Sequence, residues 1–156
     1  MLGGCAMFFR AILIAIALAG PAKAAVTFTT IFKFTGTDGS HPVGPLFRTN
    51  AGVLFGATIN GGITNPACAT GCGTVFRLTP PPAGKTAWAR AILYKFRGGA
   101  EGMSPFNVQN LNGSGALFGT TISGGATSCE GGCGSVYKLT PPAAGQTAWT
   151  KTVIYA

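Results

Sequence analysis

The chain states most of itself twice. The stretch Gly71-Cys72-Gly73-Thr74-Val75-Phe76-Arg77-Leu78-Thr79-Pro80-Pro81 returns as Gly132-Cys133-Gly134-Ser135-Val136-Tyr137-Lys138-Leu139-Thr140-Pro141-Pro142, 61 positions later. A second anchor, Leu54-Phe55-Gly56-Ala57-Thr58 followed by Gly61-Gly62, returns as Leu117-Phe118-Gly119-Thr120-Thr121 followed by Gly124-Gly125, 63 positions later. A shorter pattern occurs three times: residues 25–34 (AVTFTTIFKF), 87–96 (AWARAILYKF) and 148–156 (AWTKTVIYA). Phe32, Tyr94 and Tyr155 are equivalent in it, as are Lys33 and Lys95. A chain built this way folds as copies of one unit, and each copy needs a neighbour to cover its apolar faces.

Within a unit the residues read as strands and turns. Residues 25–34 alternate β-branched, aromatic and polar side chains, a strand pattern. Turns follow at residues 36–39 and 98–102, where glycine supplies the backbone freedom that tight turns demand. Short strands are expected near 44–48 and 106–110, then at 53–59 and 116–122, then at 74–79 and 135–140. Pro-rich segments at 80–84 and 141–145 end the last of these, because proline cannot donate to a ladder. Apolar residues occupy adjacent positions, Val75 with Phe76 and Leu54 with Phe55, so both faces of the strands are apolar. The expected architecture is all-β: two four-stranded antiparallel propeller-type blades, an incomplete β-propeller, after a signal peptide. The expected boundaries are residues 1–24 for the leader, 25–86 and 87–147 for the two blades, and 148–156 for the first strand of a third, incomplete repeat. Rings of this kind close with about four to eight blades. The reading therefore expects further repeats, in a longer protein of which this is a fragment, or self-association that completes a ring.

Residues 1–24 read as a secretory leader: Arg10, the apolar run 11–19, the break at Gly20-Pro21, and the small-x-small site Ala22-Lys23-Ala24. The apolar run is well short of the roughly 20 residues a membrane span needs. Nine uncharged residues precede Arg10, so Met7 is the more natural start, and Cys5 stands before the apolar core. The expected location of the mature chain is therefore secreted, cell-exterior or periplasmic. Of 156 residues, 47% are hydrophobic, which excludes a disordered tract. With 11 Lys and Arg against 3 Asp and Glu, the chain carries +8, or +6 without the leader.

The set Gly-x-Leu-Phe-Gly-x-Thr-x-x-Gly-Gly, then Cys-Gly-Thr-Val-Phe-x-Leu-Thr-Pro, then Trp and Leu-Tyr-x-Phe resembles the tandem repeat of the choice-of-anchor GloVer family. The likeness covers nearly all of residues 29–156. It implies an exported bacterial repeat protein and brings with it no enzymatic activity, cofactor or catalytic residue. The variable C-terminal sorting signals of that family have no counterpart before Ala156.

Read for chemistry, the residues offer little. Cys68 and Cys72 occupy the same loop as Cys129 and Cys133. An even count in an exported chain favours one disulfide within each loop, over free thiols or a four-thiolate metal site. Asp38 and Glu101 share a turn position, which suggests turn residues more strongly than a glycosidase pair. His41, the only histidine, lacks a nucleophile motif, and three acids do not build a calcium cage. The candidate ligand surface consists of the repeated cations Lys33, Lys95, Arg77 and Lys138, with Trp88 and Trp149 for stacking. Its candidate partner is an acidic or neutral polysaccharide, and nucleic acid is not the expected one. The leading expectation is a non-enzymatic structural or adhesion protein at the cell exterior. The alternative is a carbohydrate-binding or carbohydrate-cleaving module.

Overall fold

The computed structural model describes residues 25–110, 113–126 and 128–156. The leader, with Arg10, Lys23 and Cys5, lies outside the described residues. The described chain forms two four-stranded antiparallel sheets and one short 3-10 turn, Gly99–Glu101. The first sheet runs in chain order through β1 (Ser40–Arg48), β2 (Leu54–Asn60), β3 (Thr74–Thr79) and β4 (Ala89–Lys95). The second repeats it with β5 (Met103–Pro105), β6 (Leu117–Ser123), β7 (Ser135–Thr140) and β8 (Thr150–Tyr155).

The strand expected to open each unit closes the previous one instead. Residues 89–95 lie antiparallel to β3, from Thr74 opposite Lys95 to Thr79 opposite Ala89. Residues 150–155 do the same against β7, so they complete the second sheet and do not begin a third. The Pro-rich connection, residues 80–88, returns the chain to the open edge of β3. The first copy of the pattern, residues 25–34, forms no ladder with any described strand. Sheets thus span 40–95 and 103–155, a different phase from units 25–86 and 87–147. The segment expected as a strand at 106–110 contributes only one bridge, Gln109 with Phe118.

Equivalence between the sheets extends to backbone detail. His41 and Ser104 occupy the same repeat position, and both have positive φ, 54° and 55°. The register slips by one residue between Val75 and Phe76 and again between Val136 and Tyr137. Thr58 and Thr74 share a buried hydroxyl hydrogen bond of 2.9 Å, and Thr121 with Ser135 repeats it at 2.9 Å. The glycine of each Leu-Phe-Gly motif faces a ring. A Cβ at Gly56 would lie 2.5 Å from Phe76 Cζ, and one at Gly119 would lie 2.6 Å from Tyr137 Cζ.

Each sheet has two apolar faces, as the adjacent apolar positions predict. On the first sheet one face carries Ala57 and Val75, which we call the forward face, and the other carries Phe76 and Leu78, the rear face. The main core lies between the forward face of the first sheet and the rear face of the second. It joins Ala57, Val75 and Leu93 to Leu117, Tyr137 and Leu139, with Phe96 and Val108 between. Phe76 and Leu78 are also buried, but outside this cluster. Residues 31–34 cover them from the other side: the Phe34 ring meets the Phe76 ring at 4.9 Å, and Phe32 meets Phe34 at 5.1 Å. The second sheet repeats this stack with Tyr94, Phe96 and Tyr137, at 5.2 and 5.1 Å. The N-terminal segment therefore occupies, on the first sheet, the place the end of β4 occupies on the second.

Candidate functional site

The two repeated carboxylates sit in tight turns that precede β1 and β5. The first turn is closed by reciprocal backbone hydrogen bonds of 3.1 Å between Gly36 and Gly39. This geometry buries Asp38. Its Oδ1 accepts from the Thr35 amide at 2.7 Å and the Thr35 hydroxyl at 3.0 Å, and its Oδ2 meets Arg90 Nη1 at 2.8 Å. Burial pushes the Asp38 carboxyl upward, but the Thr35 hydrogen bonds and the Arg90 charge outweigh it, and the net displacement is below the usual 3.8. The Arg90 guanidinium lies 5.6 Å from the Phe32 ring centroid.

The second turn uses the same positions differently. Lys151, the counterpart of Arg90, donates from Nζ to the Glu101 carbonyl and lies 5.2 Å from the Phe96 ring. Glu101 Oε2 accepts from the Tyr94 hydroxyl at 3.0 Å. Burial first, and then that hydrogen bond and the carboxylate's charge, push Tyr94 up to about 12. Burial lowers Lys151 while Glu101 works against it, and the net shift is downward. In both turns the acid and the strand-four cation brace the junction between a sheet and the segment before it. Each carboxylate is bonded within its own junction.

The candidate ligand residues do not converge. Arg77 lies beside Phe55 on the forward face of the first sheet, and Lys138 lies beside Phe118 on that of the second, its Nζ 6.0 Å from the ring. Lys95 stands opposite Thr74, so it is about 10 Å along β3 from Arg77. Lys33 is exposed on the unpaired N-terminal segment. Trp149 packs against the main core, and Trp88 is half-buried ahead of β4. His41 is exposed, its Nδ1 3.3 Å from the Asn60 amide nitrogen and 3.4 Å from the Ser40 hydroxyl. Among the described residues no group of three His, Cys, Asp or Glu side chains is placed to hold a metal.

The cysteines pair within their loops, Cys68 with Cys72 and Cys129 with Cys133, each with Cα atoms 5.2 Å apart. Two such bonds suit an oxidising periplasmic or extracellular setting. No described helix is long and apolar enough to cross a membrane. The first loop is held down by the second sheet, since the Ser104 amide donates to the Cys72 carbonyl at 2.9 Å. Among the described residues the second loop has no such cover, and its cysteines are exposed.

The structure also reveals a surface that the sequence reading did not single out: the forward face of the second sheet. It carries Phe118, Thr120, Val136 and Tyr155. Its shallow hollows are lined by Asn107, Gln109, Phe118, Thr120 and Val136, and by Thr120, Val136 and Tyr155 near the end of β8. The one sequence signal for it is the change from Ala57 to Thr120 at a position the first sheet buries. No protein-family model, curated protein or solved structure matches the chain.

Proposed function

We propose that this chain is an exported β-repeat protein with a structural or adhesive role at the bacterial cell exterior, its sheets acting as propeller-type blades that stack in series, as in the GloVer-type repeats its sequence resembles. One observation carries the reading: the repeated acids and strand-four cations, the groups a catalytic site would draw on, are engaged in bracing one repeat against the segment before it. What remains exposed is a set of scattered cations and apolar sheet surface, which suits contact with other macromolecules better than turnover of a small substrate. The leader-like residues 1–24 and the two loop disulfides support export.

The test is expression with residues 1–24 in a bacterial host. We expect a mature chain beginning at Ala25, with no free thiol, accessible to protease on intact cells. Retention in the cytoplasm with reduced cysteines would sink the reading. An Asp38→Asn, Glu101→Gln double variant separates it from the carbohydrate-cleaving alternative. The variant should lose thermal stability and alter no hydrolytic activity, whereas glycan cleavage that vanishes in it would favour the enzyme.

A further inference from the structure

We infer that the forward face of the second sheet docks onto the rear face of the first sheet of a second copy of this chain, and that residues 31–34 plug the acceptor face until they are displaced. The inference rests on the reading of the sheets as serially stacking units.

The chain itself shows what covers a forward face. On the first sheet that face is buried, and the surface burying it is the rear face of the second sheet. The equivalent positions on the second sheet are uncovered. Val75 is 0% exposed and its counterpart Val136 is 37% exposed. Leu93 is 9% exposed and its counterpart Ile154 is 54% exposed, while Tyr155, the counterpart of half-buried Tyr94, stands at 75%. Apart from Thr120 in place of Ala57, then, the second sheet presents a surface of the same type as one that a rear face already fits, with Lys138 in the place of Arg77. A rear face of that type exists on the first sheet, where Phe76 and Leu78 match Tyr137 and Leu139. Both surfaces belong to one chain but lie on its opposite ends. Their union is therefore heterologous, head to tail, between copies.

The N-terminal segment stands in the way. In the intrachain junction Tyr94 stacks on Phe96, and Phe96 stacks on Tyr137. A second copy arriving at the first sheet would bring Tyr155 to the place of Tyr94. That place is held by Phe32, which stacks on Phe34 as Phe34 stacks on Phe76. The plug is held by its rings and the Arg90 contact and not by a ladder: residues 25–34 pair with no described strand, and Val26 and Phe28 are almost wholly exposed. Beneath it lies a hollow lined by Ile31, Phe34, Val43, Leu46 and Phe76. Once the plug lifts, Tyr155 of the incoming copy faces Asp38, as Tyr94 faces Glu101 within the chain.

The experiment places a photoreactive benzoyl-phenylalanine at position 136 of the full chain, with and without the Phe32→Ala, Phe34→Ala pair. We expect an intermolecular adduct that maps to residues 31–47 or 76–78 of the second copy, with a yield several-fold higher when the plug rings are removed. Three results would overturn the inference: no intermolecular adduct in either background at high concentration, adducts that map to the second sheet of the partner, or a lower yield without the rings. Should the double alanine variant fail to fold, the adduct in the unsubstituted background decides, by its site and its rise with concentration. The readout is independent of export. An exported, unassociated chain refutes only the docking, and an associating chain left in the cytoplasm refutes only the functional reading.

Discussion

Asp38 and Glu101 share one repeat position and solve the same problem with different partners. Asp38 holds a folded-state proton affinity below that of the unfolded chain, so its contribution to stability is complete above about pH 4 and is lost as pH falls through the folded value. We expect the urea midpoint of the native chain to drop more steeply below about pH 4 than that of Asp38→Asn, which starts lower and changes less. Tyr94 has the opposite sign. Its hydroxyl is raised to about 12 from 10.0, so its contribution is complete below pH 10 and fades between 10 and about 12. Tyr94→Phe should cost about 1 kcal/mol at neutral pH, the worth of its hydrogen bond, and this difference from the native chain should vanish in that alkaline window. Gly39 is constrained by backbone and by space together: φ is +121°, and a Cβ would lie 2.6 Å from Thr58 Oγ1 and 2.8 Å from Thr74 Oγ1. Gly39→Ala should cost about 3 kcal/mol, as strain and overpacking add. Gly84→Ala, at φ +78° with nothing within 4 Å, should cost about 1 kcal/mol. Thermal melts of the two variants compare them directly. The equivalence of Asp38 and Glu101 was legible in the sequence. Their pairing with Arg90 and Tyr94 was not, because it depends on which segment folds over each turn.

At the level of elements, the two cysteine loops are near-copies in sequence and unlike in setting. Cys72 is fully buried beneath the second sheet, whereas Cys129 and Cys133 are exposed. A thiolate reductant must reach a sulfur to attack it. We expect mild reduction of the folded chain, followed by alkylation and peptide mapping, to label Cys129 and Cys133 well before Cys68 and Cys72. Equal labelling would mean that the first loop opens without global unfolding. The sequence placed strands at 53–59, 74–79, 116–122 and 135–140, within one residue of β2, β3, β6 and β7. Alternation and flanking Gly and Pro are local signals, and local signals define strand bodies well. Mismatches came at residues 106–110, which give a single bridge, and at residues 25–34, whose pattern matches β4 and β8 yet which form no strand. Strand propensity expresses itself only where a partner edge is free, and propensity says nothing about edges.

Across the whole molecule the two sheets share one core, and neither has a complete one of its own. Phe96 illustrates this: it follows β4, is fully buried, and lies 5.1 Å from the Tyr137 ring in the second sheet. Phe96→Ala should cost about 3–5 kcal/mol. The loss should appear as one shifted unfolding transition and not as two, with disulfide protection in the first loop falling in parallel. Separate transitions for the two sheets would show that the shared core does not couple them. By itself, the sequence determined the unit: its length, its strand-rich character, its two-faced apolar strands, and cysteines spaced to close their own loops. These follow from local pattern and from repetition. Only the tertiary structure decided where a unit begins, which copy of a repeated residue is buried, and which face is left open. A period has no intrinsic starting point, and identical side chains such as Cys72 and Cys133 acquire different exposure solely from whether another sheet lies over them.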